Sequence, residues 1–353
     1  MKQHLPALRL LGILILALSF HTAPLSAGEL LGWGSDSSDL LTDKPGLSDF
    51  VDLAIYYEAG FGLRSDGSIV AWGDDQDGQV TNAPTDTGYL AVAVNYNTAF
   101  ALDADGQIVG WGGDDNDEIS DIPAGMGYTF IVGGYDCGFA LDSDGAIHGW
   151  GADFDNQLGS IPVGMGFTKI ATFNSNVYAL GAHGSIAAWG LDDYDQITDT
   201  PTGVGFLDIA AGDLNGFAIA SDGSIVAWGR DIHDLLDVPA GNDFVQIAAN
   251  ENIAFALREN GTVEAWGNNL SDVVTDTPTG GGIAKIFAGS YSGWALLADP
   301  QPPVTKSAAI AKLQKEISKL QKKAKKLKKK GKKAKSKKLN KKVKKLKKQL
   351  AAL

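Results

Sequence analysis

Short apolar runs separated by brief polar breaks recur along most of the chain. Residues 87–111, TGYLAVAVNYNTAFALDADGQIVGW, hold one full unit. YLAVAV and AFAL are apolar, with NYNT between them, and IVGW is a third run joined to the second by DADG. Asp-Gly between apolar runs is a strong hairpin signal, and the type I′ turn it predicts needs positive φ at both central residues. The same turn is spelled Asp66-Gly67, Asp144-Gly145, His183-Gly184, Asp222-Gly223 and Asn260-Gly261. The pattern predicts an antiparallel meander of three strands per unit, with a short fourth strand near a downstream proline. The strands are apolar on both faces (Ile69 and Ala71 against Val70 and Trp72), as in sheets sandwiched between neighbours.

The units keep strict register. Trp-Gly pairs begin at Trp33, Trp72, Trp111, Trp150, Trp189, Trp228 and Trp266, at intervals of 39 residues except the last, which is 38. A proline follows each Trp (Pro45, Pro84, Pro123, Pro162, Pro201, Pro239, Pro278), twelve residues on in every copy but the sixth, where it is eleven. A period of this length builds solenoids, propellers or arrays, in which each unit buries its apolar face against its neighbours. The ends decide among them. The first unit begins mid-meander at ELLGWG, and the last stops at SGWALLAD without its third strand. Each end supplies what the other lacks. The expectation is an all-β fold, a seven-bladed β-propeller over residues 28–299 closed by the N-terminal strand, which leaves no sheet edge open. The repeats run 28–66, 67–105, 106–144, 145–183, 184–222, 223–260 and 261–299.

WGDDQDGQV and WGADFDNQL, with DGSIVAWG upstream and IAAG downstream, resemble repeats of the regulator of chromosome condensation family. The short period and the apolar N-terminus look closer still to the secreted β-lactamase inhibitor propellers of type II. The resemblance covers residues 28–299 and implies the propeller fold; it implies function only weakly, because that architecture hosts unrelated activities. Two departures stand out. The family often has Asn three residues after the Trp; here the position holds Asp36, Asp75, Asp114, Asp153, Asp192 and Asp231, with Asn only at Asn269. The family also tends to place His after AAG, where this chain has Ala59, Thr98, Cys137, Asn176, Asn215, Ile253 and Ser292.

Charge and composition add a compartment and a second module. Lys2 and Arg9 precede an apolar run from Leu10 to Phe20, followed by small residues ending at Ser26-Ala27. Residues 1–27 read as a secretory signal peptide, an uncleaved anchor being the alternative. Export makes a nuclear exchange-factor role implausible and places the protein in a periplasm or outside the cell. Cys137 is the only cysteine, so no intrachain disulfide forms, and a packed small residue is a better reading than a nucleophile. The chain is −12 overall, yet residues 301–353 carry 22 Lys and one Glu, so residues 1–300 carry −33. A stiff Pro-rich linker, residues 300–305, joins this acidic body to a Lys-rich tail, residues 306–353. In the tail, Ile310, Leu313, Ile317, Leu320, Ala324 and Leu327 form one narrow helical stripe. The stripe resumes out of phase beyond Gly331 at Leu339, Val343, Leu346, Leu350 and Leu353, so two helical segments hinged at Gly331, able to zip as a coiled coil, are expected. A solvated charge run is the bland reading. The functional one is an anion-binding handle, with Lys322, Lys323, Lys325, Lys326, Lys328, Lys329 and Lys330 at its centre. Its partners are an anionic envelope polymer, a membrane surface or DNA bound non-specifically. With no Arg or aromatic to read bases, no sequence-specific nucleic acid is expected.

The turns between the first and second strands and the loops after Trp-Gly share one face, the top. Those turns read YYEA, NYNT, GYDC, FNSN, GDLN, NENI and GSYS, varying where the scaffold does not. Tyr56, Tyr57, Tyr96, Tyr135, Phe173 and Tyr291 are the aromatic anchors expected to bind a protein or glycan there. Turns that vary because nothing constrains them are the competing account. The Asp ring reads first as turn capping. Calcium at loops such as DDQDG, with Asp75 and Asp77 as ligands, is the weaker alternative, since the spacing of an EF-hand is absent. No cofactor is otherwise indicated, and His148, His183 and His233 occupy unrelated positions with no catalytic motif around them. The function expected is therefore non-enzymatic binding by the top face. A secreted enzyme inhibitor of the β-lactamase-inhibitor type and a polysaccharide-active enzyme are the alternatives.

Overall fold

The computed structural model describes residues 28–298 and, in the tail, residues 317, 319–323, 326, 339–341, 343, 344 and 347. The leader and the Pro-rich linker lie outside the described residues, as do Lys325, Lys328, Lys329 and Lys330. Twenty-one strands form seven three-stranded antiparallel sheets. The first blade is β2 (Phe50–Tyr56), β3 (Ala59–Arg64) and β4 (Ile69–Gly73); the second is β5 (Ala91–Val94), β6 (Thr98–Leu102) and β7 (Ile108–Gly112). The third is β8 (Tyr128–Gly134), β9 (Cys137–Asp142) and β10 (Ile147–Gly151); the fourth is β11 (Phe167–Phe173), β12 (Asn176–Gly181) and β13 (Ile186–Gly190). The fifth is β14 (Asp208–Ala211), β15 (Asn215–Ile219) and β16 (Ile225–Gly229), and the sixth is β17 (Phe244–Asn250), β18 (Ile253–Arg258) and β19 (Val263–Gly267). The seventh joins β20 (Ile283–Ala288) and β21 (Ser292–Leu297) to β1 (Leu30–Gly34), which pairs with β21 from Leu30↔Leu296 to Gly34↔Ser292. The first strand of each blade lines the axis. These inner strands touch in sequence round the ring, and β20 touches β2.

The repeated Trp explains how blades hold each other. Its indole N–H donates to a backbone carbonyl in the loop after the preceding Trp: Trp72 to Leu40 at 3.0 Å, Trp111 to Gln79 at 2.8 Å, Trp150 to Glu118 at 2.8 Å. The same bond recurs at Trp189, Trp228, Trp266 and, across the join, from Trp33 to Val273 at 3.0 Å. Six of the seven Trp rings also meet an aromatic of the preceding blade edge-on, as with Phe61 and Trp111 at 5.9 Å or Phe255 and Trp33 at 5.5 Å, and Trp72 packs tilted on Trp294. Such pairs add about 0.5–1.5 kcal/mol beyond area burial. Space for the indole comes from a small residue opposite it. At Gly293 an added Cβ would stand 2.2 Å from Trp33 ring atoms. Near the bottom, Lys169 bonds Asp208 at 2.5 Å, Asp208 accepts from the Ile247 N–H at 3.0 Å, and Lys285 donates to the Val51 carbonyl at 2.8 Å.

Two local expectations need correction. The Asp-Gly turns are not type I′. Gly67, Gly106, Gly145, Gly184, Gly223 and Gly261 have φ between +74° and +83°, whereas the residues before them do not have positive φ. The Gly67 N–H bonds the Arg64 carbonyl at 2.9 Å and the Arg64 N–H bonds Ser68 at 2.9 Å. This is a three-residue loop, a type I turn closed by a glycine bulge, and it needs positive φ only at the glycine. No fourth strand forms near the prolines either. Those segments are turns, organised by side chains rather than by a ladder.

In the tail, the described residues on both sides of Gly331 are helical. Ile317 and Val343 are buried in one small cluster with Leu320 against them, while Lys322, Lys323 and Lys326 are exposed.

Candidate functional site: the axial mouth

The turns between first and second strands place one residue per blade around the axis. The first turn position reads, in order, Tyr57, Tyr96, Tyr135, Asn174, Asp213, Glu251 and Ser290. Three consecutive blades thus offer tyrosine and the next three offer Asn, Asp and Glu. Tyr291, at the second position of the seventh turn, completes the aromatic side. Tyr57, Tyr96, Tyr135 and Tyr291 are 41%, 54%, 40% and 41% exposed, which is what a binding anchor requires. Tyr57 and Tyr96 meet edge to face at 5.4 Å, so the patch is contiguous.

The two other aromatic anchors expected from sequence are buried. Tyr56 and Phe173 end their inner strands one residue before the turn, and strand alternation turns them into the axis. Their rings lie 5.9 Å apart across it, in space that Gly134, Gly212 and Gly289 leave open at the matching positions of other blades. They plug the top of an axial cavity of about 210 Å³, lined by residues such as Leu53, Val92, Ile131 and Thr172. The Tyr56 hydroxyl has no hydrogen-bond partner, and burial pushes its pKa upward.

The acidic side was missed by a reading that looked for aromatics. Burial raises the pKa of Glu251, the Tyr291 hydroxyl beside it works against this, and the Asp213 charge adds to the rise. Burial, then the charge of Asp115, raises Asp136. Burial also raises the Tyr57 hydroxyl, and Glu251 is the largest charge acting on it. The backbone is strained at the same place. Tyr57, Asn174 and Glu251 hold φ of +43°, +47° and +24°, a region that favours glycine and tolerates Asn but disfavours Tyr and Glu. Strain of this kind clusters at functional sites.

The Asp ring is structural. Asp75 Oδ1 accepts the Val80 and Thr81 N–H groups at 2.8 and 2.9 Å, and Oδ2 takes the Thr81 hydroxyl. Asp114 and Asp192 repeat all three bonds and Asp36 does so with Leu41 and Thr42, while Asn269 accepts from the Val274 and Thr275 N–H groups and donates its Nδ2 to the Thr275 hydroxyl. These bonds hold Asp75 below the usual carboxylate range. Asp77 is exposed, and its own N–H bonds Gln79. Among the described residues no group of three His, Cys, Asp or Glu is arranged to hold a metal. Cys137 is buried, and burial pushes its thiol up to about 12, so it carries no thiolate. His148 pairs with Asp142 at 3.1 Å on a strand, away from the mouth.

No family model and no curated protein matches the chain. Solved structures do. Prp20p of Saccharomyces cerevisiae, described as binding Gsp1p and histones, is 17% identical with a TM-score of 0.64, over 80% of this chain and 94% of that one. Human WBSCR16 is 15% identical with a TM-score of 0.62, over 78% of this chain and all of that one. The CRINKLY WD40 ectodomain of the Arabidopsis thaliana receptor kinase ACR4 is 18% identical with a TM-score of 0.59, over 72% and 98% of the two chains. The fold is that of the RCC1-type propeller. An RCC1-type ring is a scaffold shared by unlike proteins, so this chain's chemistry has to come from its own turns.

Proposed function

We propose that this chain is a secreted, non-enzymatic binding protein that grips a protein partner with the mouth of its ring. Residues 1–27 export it, β1 acts as the clasp of the ring through β21, and the lysine tail holds it at an anionic surface. The observation that carries the reading is the set of exposed tyrosines, Tyr57 and Tyr96 in contact, on the face whose turns vary. Rigid amphipathic aromatics are the usual anchors of protein interfaces. A plugged axis ringed by exposed tyrosines suits a partner's surface better than a small substrate held in the axis. A secreted hydrolase is the partner class that the resemblance to inhibitor propellers suggests, and the Tyr57–Tyr96 patch favours it.

The test immobilises the full chain and exposes it to periplasmic and secreted protein. A partner retained by the wild type and by His183→Ala on the bottom face, but lost from Tyr57→Ala/Tyr96→Ala, supports the reading. Equal retention by all three removes the mouth from consideration. Retention of polysaccharide alone replaces the protein partner with a glycan.

A further inference from the structure

We propose that the mouth takes a cation presented by the partner, a lysine or arginine side chain seated between the tyrosine arc and the acidic arc. The inference rests on the binding-mouth reading above and names the chemistry of what enters it. Four observations carry it.

The first is the arrangement. Tyr57, Tyr96 and Tyr135 occupy one side of the axis, with Asp213 and Glu251 on blades across it and Asp136 beside Tyr135. An ammonium or guanidinium group is attracted to ring faces and carboxylates alike. The second is a pair of polar atoms left without partners. Glu251 Oε2 is buried and unbonded, and so is the hydroxyl of Tyr56, a residue only 8% exposed. Burial dominates the environment of that hydroxyl, and the carboxylates of Asp136 and Glu251 are near enough to act on it. Buried polar atoms in folded proteins are normally bonded, and both of these can accept an N–H.

The third observation is that the ring's own cations, among the described residues 28–298, are placed elsewhere. Residues 28–298 contain six Lys and Arg: Lys44, Arg64, Lys169, Arg230, Arg258 and Lys285. Arg64, Lys169, Arg258 and Lys285 pair with carboxylates at the bottom ends of their strands. Lys44 precedes Pro45 in a descending loop. Arg230 follows the Trp228-Gly229 pair on the top, with its guanidinium 4.2 Å over the Tyr194 ring. The fourth is that the same chemistry continues outward. A neighbouring pocket of about 240 Å³ is walled by Tyr57 and Tyr96 and carries Glu58, Asp74 and Asp77. Two adjacent cationic side chains on a peptide would have a place each. An anionic group would meet repulsion at every position, and a neutral donor could bond the Glu251 oxygen but would gain no charge attraction from the acidic arc.

The test titrates the full chain with an oligolysine peptide and with the same peptide acetylated on every Nζ, following tyrosine fluorescence and heat. The expected result is binding of the cationic peptide and at least about tenfold weaker binding of the acetylated one, the scale of one charged hydrogen bond. Glu251→Gln weakens binding about tenfold, Tyr57→Ala weakens it several-fold, and Tyr57→Phe, which keeps the ring, retains it. Asp144→Asn/Asp222→Asn on the bottom changes it less than about twofold, the size of a screened exposed charge. Melting curves of each variant separate loss of fold from loss of site. Equal weakening by bottom-face and mouth variants would reduce the effect to diffuse attraction by an acidic body and overturn the proposal. If the protein partner needs Tyr57 and Tyr96 but is indifferent to Glu251→Gln and to acetylation of its lysines, the mouth stands as a binding site and the cation is wrong.

Discussion

Glu118 shows how much one residue can depart from a repeat without breaking it. Seven residues after the Trp, the chain has Gln79, Gln157 and Gln196 in three blades, and each side-chain oxygen accepts an N–H from its own loop. Glu118 makes the same bond through Oε2, at 2.8 Å from the Asn116 nitrogen, but its Oε1 is buried and has no partner. Burial raises its pKa above the ordinary 4.5, and the charge of Asp136 adds to this. The folded state therefore binds a proton that the unfolded state has released. Stability from this group is fullest below about pH 4.5 and falls as pH rises through the folded value. Glu118→Gln should stabilise the protein at pH 7–8 by about 1 kcal/mol, the excess cost of leaving a charged rather than a neutral polar atom unpaired, since the Nε2 atoms of Gln157 and Gln196 at this repeat position are unpartnered as well. That is a rise of a few degrees in melting temperature for a ring of this size. The advantage should shrink as pH falls towards 4.5. Melting curves across pH decide it, and a Gln variant less stable than wild type at pH 8 would refute the account. Sequence showed the substitution in the repeat register but not that the position is sealed. The same limit misplaced Tyr56 and Phe173. YY and NY look alike in a string, and only strand alternation tells which residue faces the axis and which faces the solvent.

At the scale of elements, the repeat was legible because its punctuation is physical. Gly at each bottom turn, a small residue opposite each indole and a fixed Trp mark the same three strands in every unit. The type of turn was not legible, because Asp-Gly serves both a two-residue type I′ loop and a three-residue loop with a glycine bulge. The difference lies in whether Asp takes positive φ, and here Asp66 instead bonds the Ser68 N–H at 2.9 Å with its side chain. The fourth strand failed for a related reason. The Asp, or Asn269 in one copy, after each Trp-Gly captures backbone groups that a strand would have needed. The most consequential element is β1. It covers the edge of β21, donates the Trp33 bond to Val273 and packs Leu30 against Trp294 and Leu296 in one core cluster. Removing residues 28–34 should leave an open apolar edge on the seventh blade. We expect a melting temperature lower by about ten degrees or more, the scale of losing several buried side chains at once, together with concentration-dependent association. Scattering and melting curves at two concentrations check it, and an unchanged, monomeric protein would show that the ring does not depend on this strand.

At the scale of the molecule, two charge fields of opposite sign share one chain. The acidic body should be excluded from anionic surfaces, so any attraction to them must come from the tail. There Ile317, Leu320 and Val343 pack together, and Lys322, Lys323 and Lys326 are exposed. On the proposed reading such a tail would bind by charge, with each lysine near an anionic surface contributing about 1 kcal/mol. It should therefore be sensitive to salt, because screening shortens from about 10 Å at 0.1 M to about 3 Å at 1 M. The full chain should sediment with vesicles of anionic lipid at low salt, remain free with neutral vesicles, and be released as salt approaches 1 M. A chain ending at Asp299 should stay free under all three conditions. If the truncated chain binds as well as the full one, or if the full chain resists high salt, contact is made by the ring and the tail has another use. Release by salt would instead assign the two ends of the protein separate tasks: the tail fixes where it resides, and the mouth, facing away from the tail's exit, stays open to a partner.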